Sequence, residues 1–173
     1  MFSRHYIPAP PLATFVESFW LYADCAAPQG LERIMPTGSL SVVINLKKDS
    51  LRNYDPRDPR RFDSYGGSLM VGAHSEFMMI DTACQAEVMG ITFKPGGAFA
   101  FLRMPASELC DQHVPLDALW KRDGANLRSR LLEAPTPDGK VSCAGGKPSG
   151  ADRRTAGTER DGGICAARDA LRS

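Results

Sequence analysis

The apolar residues of this chain come in short runs cut by turn-forming residues, and that spacing directs it to a β-rich fold. Ser39 to Leu46 (SLSVVINL) is rich in β-branched residues and bounded by Gly38 and Lys47-Lys48, the pattern of a central strand. Ala86 to Phe93 (AEVMGITF) reads as the next strand, and Phe19 to Tyr22 is apolar at every position, which suits a buried strand. Leu69 to Ala73 and Phe77 to Asp81, separated by His74-Ser75-Glu76, predict a hairpin. Leu51 to Gly67 is charged and holds two Asp-Pro pairs, which predicts a long loop.

Helices are expected around this strand-rich centre. Leu12, Phe15, Val16 and Phe19 recur at i, i+3, i+4 and i+7, one face of a short helix entered through Pro10-Pro11. Further helical segments are expected at Ala98–Leu102, Pro105–Leu109, Pro115–Trp120 and Ala125–Glu133. The fold class is therefore α+β and β-rich, with short helices at its C-terminal end.

Composition divides the chain near Pro135. No aromatic residue follows Trp120, and between Asp138 and Gly163 the one branched aliphatic residue is Val141. A Gly/Ala/Arg-rich stretch of this kind cannot bury enough apolar surface to offset its ordering entropy. The expected organisation is a domain over residues 1–135 and a disordered tail over 136–173. Two readings of the tail stand: a flexible linker, or text read in a shifted frame with a following domain lost.

At 173 residues, 43% hydrophobic and 24% charged, the chain is ample for one globular core. The net charge of +1 provides no global field toward nucleic acid or anionic lipid. No apolar run approaches a membrane span, and MFSRHYIPAPPL has no signal-peptide h-region. Five cysteines without C-x-x-C spacing argue against a disulfide framework or zinc ribbon, so a cytoplasmic location is expected.

The sharpest local feature is GITFKPGGAFAFL, residues 90–102. A phosphate loop needs its Lys after the glycines and a Ser or Thr beyond it; here Lys94 comes first and Ala98 replaces the hydroxyl. Pro95 and Gly96 instead fit the central positions of a type II turn, with Gly97 as a weak N-cap for the helix that follows. His74 stands alone with Glu76 nearby and His113 falls in a helical region, so no metal set is expected and His74 reads as a solvent-facing turn residue. There is no G-x-S-x-G, and no Cys–His pairing is visible, so no catalytic residues and no cofactor are assigned. Glu32-Arg33 and Arg60-Arg61 read as surface charges or as anion clamps. Trp20 and Tyr22 read as core or as pocket lining.

Taken together, PPLATFVESFWLYAD, ERIMPTGSLSVVINL and the stretch from VGAHSEF through FKPGGAFAFL to VPLDALW resemble the N-terminal domain of AraC-type bacterial transcriptional regulators. That pattern runs P-x-L-x-x-x-V-x-x-F/Y-W, E-R-x-x-P-x-G, V-x-x-N-L, G-[VI]-x-F-[RK]-P-G-G-A and P-L-x-x-L-W. The match covers roughly residues 6–134.

The resemblance implies a cupin-like β-barrel or sandwich that binds a small-molecule effector, forms a homodimer, or does both. It implies DNA binding through a helix-turn-helix domain, which the sequence after Leu131-Leu132-Glu133 does not offer, so a truncated or orphan regulatory domain is expected. By fold-level analogy, Trp20, Arg33, Asn45 and His74 are the expected ligand-binding positions. A small cupin-like enzyme or sugar- or metabolite-binding protein is the alternative.

Overall fold

A computed structural model describes residues 2–23 and 30–145. Ten strands form two antiparallel sheets, which agrees with the α+β, β-rich expectation. They are β1 (Phe2–Tyr6), β2 (Val16–Ala23), β3 (Leu31–Ile34), β4 (Ser41–Asn45), β5 (Leu51–Tyr54), β6 (Phe62–Tyr65), β7 (Ser68–Val71), β8 (Met78–Asp81), β9 (Glu87–Phe93) and β10 (His113–Pro115). One sheet has the order β1-β2-β9-β4-β7-β10, the other β3-β8-β5-β6. Four short α-helices lie after β9: α1 (Phe99–Leu102), ahead of β10, and α2 (Leu116–Trp120), α3 (Arg122–Glu133) and α4 (Pro137–Cys143) behind it.

Side chains alternate between the faces of a strand, so register sorts the large sheet into two surfaces. Phe19, Leu21, Val42, Ile44, Met70, Met89, Ile91 and Phe93 lie on one, all buried, and form the core with Leu116 of α2, Leu131 of α3 and Val141 of α4. The other surface turns to the small sheet. Tyr65 of β6 stacks on His113 of β10 with ring centroids 5.3 Å apart. Asn45 of β4 donates to the Cys84 carbonyl, beyond β8, at 2.7 Å. The small sheet is thus laid with β6 toward β10.

Several expectations change. The Leu12–Phe19 periodicity is not a helix: a single 3-10 turn spans Leu12–Thr14 and β2 begins at Val16. The register slips between Val16 and Ser18, so a bulge puts Val16 and Phe19 on the same core face three residues apart, mimicking helical spacing. Residues 51–67 are not a long loop; β5 and β6 pair within them, held by the Tyr54–Phe62 ring contact at 5.2 Å. The Asp-Pro pairs confine the turn, where the Asp55 and Asp58 carboxylates accept from the Arg57 and Arg60 amides.

Runs 69–73 and 77–81 are strands of different sheets rather than a hairpin. A Cβ on Gly72 would stand 1.6 Å from the Leu109 carbonyl oxygen, so the chain leaves β7 tight against the 109–112 segment and crosses between sheets. His113 sits in β10, not in a helix.

The boundary at residue 135 also moves. Residues 137–143 form α4, capped by Thr136, whose hydroxyl accepts from the Gly139 amide. Val141 is 1% exposed, the Lys140 ammonium donates to the Leu131 carbonyl at 3.0 Å, and Tyr6 donates to Asp138 at 3.0 Å. One well-placed aliphatic and three polar anchors hold a segment whose composition gave no core signal. The expected tail beyond residue 145 lies outside the described residues.

Candidate functional site

The facing surfaces of the two sheets bound an inter-sheet cleft whose residues are buried at one end and half-buried at the other. At the packed end Tyr22, Val88 and Asn45 share one row across β2, β9 and β4, and all three are buried. The row at the mouth, Ser18, Thr92, Ser41, Val71 and His113, is half-buried throughout. Between them run Trp20, Gly90, Val43 and Leu69. The small sheet contributes Glu32, Ile80, Asn53 and Asp63 in one row, with Ile34 and Met78 beside it and Leu51 and Tyr65 on the other flank.

Trp20 dominates one wall. Its indole lies across Gly90, where a Cβ would stand 1.9 Å from the ring, and its Nε1–H donates to Thr92 Oγ1 at 3.2 Å. Ser41 Oγ approaches the same oxygen at 3.5 Å. Tyr22 continues the wall, 5.1 Å from the Trp20 ring, and its hydroxyl bonds His5 Nε2 at 3.2 Å.

The far edge of the same sheet joins residues distant in sequence. His74 and His113 lie 4.7 Å apart, ring to ring, and Tyr65 covers the other side of His113. Burial, reinforced by the neighbouring His74, pushes His113 down to about 4, so it is neutral at physiological pH. Burial also lowers His74, against the opposing pull of Asp111, whose carboxylate stands 3.7 Å from Nδ1. The Ser75 amide and hydroxyl hold that carboxylate in its charged form. His74 Nε2 is buried with no hydrogen-bond partner.

The four expected binding positions separate. Trp20 lines the cleft. His74 is not a lone solvent-facing residue; it packs on His113 at the cleft edge. Asn45 faces inward but is fully buried, donating to the Ser50 and Cys84 carbonyls and accepting from the Lys47 and Lys48 amides, which leaves it no bond for a ligand. Arg33 points away from the cleft, its guanidinium 4.8 Å from the centre of the Phe77 ring. The sequence reading missed Thr92, Ser41, Tyr65 and His113. The first two follow from simple alternation in β9 and β4; the last two meet only through the sheet-to-sheet contact.

The Pro95-Gly96 turn lies on the other side of the large sheet. Gly96 has φ +75° and the Gly97 amide donates to the Lys94 carbonyl at 2.8 Å, the geometry of a type II turn. Ala98 rather than Gly97 caps α1; Gly97 is required because a Cβ there would stand 2.0 Å from the Phe15 carbonyl oxygen. Lys94 donates to the Ala13 carbonyl at 2.6 Å, so its ammonium is spent on the backbone. A separate groove of about 560 Å3 runs along this turn, lined in part by Leu40, Phe93 and Phe99.

The chain is thus defined as a two-sheet β-sandwich with a partly open cleft between the sheets and a helical cover on one outer face. Residues 4–115 match the family described as domain of unknown function DUF6597, and the chain belongs to that family. The match runs from β1 to the last residue of β10, so the family unit coincides with the two sheets. No curated protein matches the chain. Among the described residues no helix is long and apolar enough to cross a membrane.

Proposed function

We propose that this domain is the effector-sensing unit of an AraC-type transcriptional regulator, acting in the cytoplasm, and that the inter-sheet cleft is its ligand pocket. The observation that carries the reading is the half-buried row Ser18, Thr92, Ser41, Val71 and His113, set beside the Trp20 indole. Sandwich interiors are ordinarily filled by interdigitating side chains. Here small and hydroxyl-bearing residues stand next to a large aromatic surface, a makeup that supports a small-molecule site. The five ordered sequence motifs support the regulator assignment. In this reading DNA contact belongs to a helix-turn-helix unit, and the present domain supplies ligand sensing and dimerisation.

A thermal-shift screen against small metabolites tests the pocket. A ligand at a hundred times its Kd stabilises the fold by about 2.7 kcal/mol, enough to move the midpoint by several degrees. Trp20→Leu should abolish the shift while leaving the unliganded midpoint within a few degrees. A ligand that binds Trp20→Leu undiminished would place the site elsewhere.

A further inference from the structure

The groove beside the Pro95-Gly96 turn runs between that turn and the segment entering β4. Gly38 and Gly96 both line it, and a Cβ built on either would meet nothing within 4 Å. Leu40, Phe93 and Ala98 give it an apolar lining continuous with the core. Its volume of about 560 Å3 is ample for an aromatic ring.

Helix α1 stands at this groove and carries a bare aromatic face. Ala98 and Leu102 turn to the core, while Phe99, which lines the groove, is 59% exposed. Phe101 is 37% exposed, yet its ring has partners: Phe15 edge-on at 5.9 Å and Phe93 at 5.5 Å. Pro95, Ala100, Pro105 and Ala106, all exposed, extend the apolar surface. The charges beside it have both signs. Lys94 is committed to the Ala13 carbonyl. Arg103, which ends α1, and Glu108, two residues past Ala106, are exposed and form no ion pair among the described residues.

A surface that offers both a projecting ring and a recess for one is complementary to itself. Two-fold rotation sets each ring in the other's recess, which is what an isologous interface requires. The charges follow the same rule, since Arg103 of one copy can stand against Glu108 of the other at both ends of the contact. A partner of one charge would satisfy one of these residues and repel the other. The sequence beyond residue 145 has no aromatic residue, and Ile164 and Leu171 are its branched aliphatics, a poor filling for this groove.

We infer that this face binds a second copy of the chain about a two-fold axis, with Phe99 of each copy entering the groove of the other. The inference rests on the dimerisation included in the proposed function, to which it gives a surface. It is independent of the inter-sheet cleft, which lies on the other side of the large sheet.

The contact is small for a permanent dimer, so a Kd of about 10–100 µM is expected from sedimentation velocity of the full chain over about 1–300 µM. Phe99→Ser should raise that Kd at least about tenfold, with the circular dichroism and thermal midpoint unchanged because the ring is mostly exposed. Phe62→Ser removes a ring 44% exposed on the small sheet and should leave the Kd unaltered. Arg103→Glu and Glu108→Arg should each weaken association at low ionic strength. An equimolar mixture of the two should recover it, because opposite charges then meet at both ends.

Association untouched by Phe99→Ser, a mixture no tighter than its components, or growth past the dimer overturns this interface. A chain monomeric at every concentration overturns the dimer itself. Binding of the dye 1-anilinonaphthalene-8-sulfonate to that monomer, lost in Phe99→Ser, would give the groove to a small apolar ligand; no binding would mean that the chain itself covers it. The cleft is judged separately, by the thermal shift and its loss in Trp20→Leu.

Discussion

His113 makes the fold acid-sensitive in a narrow window, and the effect can be sized. An imidazole ordinarily titrates near 6.5; in the folded chain burial first, then the neighbouring His74, brings His113 to about 4, with Asp63 pulling weakly the other way. A base whose folded value lies below its unfolded value favours the neutral form in the fold. Its contribution is therefore complete above about pH 6.5, declines as pH falls through that value, and is gone below about 4. Each tenfold in proton affinity is worth 1.36 kcal/mol, so the full displacement corresponds to roughly 3 kcal/mol. The ring is only half-buried and water screens part of this, which leaves about 2 kcal/mol.

His113→Phe keeps an aromatic ring between Tyr65 and His74 and removes the proton. Urea denaturation of both proteins between pH 7 and 4.5 should show the wild type losing about 2 kcal/mol more than the variant across the window. Part of the remaining slope belongs to His74, also lowered by burial. A ring-proton NMR titration should place His113 near 4. Parallel stability curves, or a titration near 6.5, would refute the account of a ring buried at the seam between the sheets.

Three further substitutions probe the architecture. Gly90→Ala drives a Cβ into the Trp20 ring; it should cost about 2 kcal/mol and change the near-ultraviolet circular dichroism of the indole, and an unaltered spectrum would mean the ring does not lie there. Asn45→Ala breaks four hydrogen bonds at a site with no water access, two of them to buried or partly buried carbonyls. It should lower stability by about 3 kcal/mol, measured as a reduced urea midpoint, and a loss below about 1 kcal/mol would contradict the network. Val141→Ala should cost about 2 kcal/mol if α4 belongs to the core; a tail beginning at residue 136 would register no change.

The sequence carried the strands that bury both faces or alternate cleanly. SLSVVINL and AEVMGITF are β4 and β9 because β-branched and apolar residues bounded by turn formers have few other uses. It misled at β2, where one bulged residue converts a two-residue period into a three-residue spacing. It misled again at β5 and β6, where Arg52, Asp63 and Ser64 look like the chemistry of the expected long loop. Trp20 was identifiable as an aromatic in a strand, but its position over Gly90 depends on cross-strand register. The His74–His113 contact depends on a chain crossing between sheets, to which local periodicity is blind. Arg33 illustrates the limit most sharply: its neighbour Glu32 faces the cleft, and a shift of one residue in register would exchange them.

Strand β9 shows why the cleft is a feature of the design of the sheet and not an accident of loose packing. Its core-facing positions hold Met89, Ile91 and Phe93, while Val88, Gly90 and Thr92 face the small sheet. A strand filling space on both sides would carry large residues at both parities, and a glycine in mid-strand costs about 0.5–1 kcal/mol relative to alanine. That cost is accepted where the Trp20 indole needs the space above Gly90. Strand β4 repeats the arrangement, with Val42 and Ile44 toward the helices and Ser41 and Val43 toward the cleft. Two central strands thus assign bulk to one face and room to the other. The first face supplies the apolar core, and the second presents the smaller and more polar side chains to the small sheet.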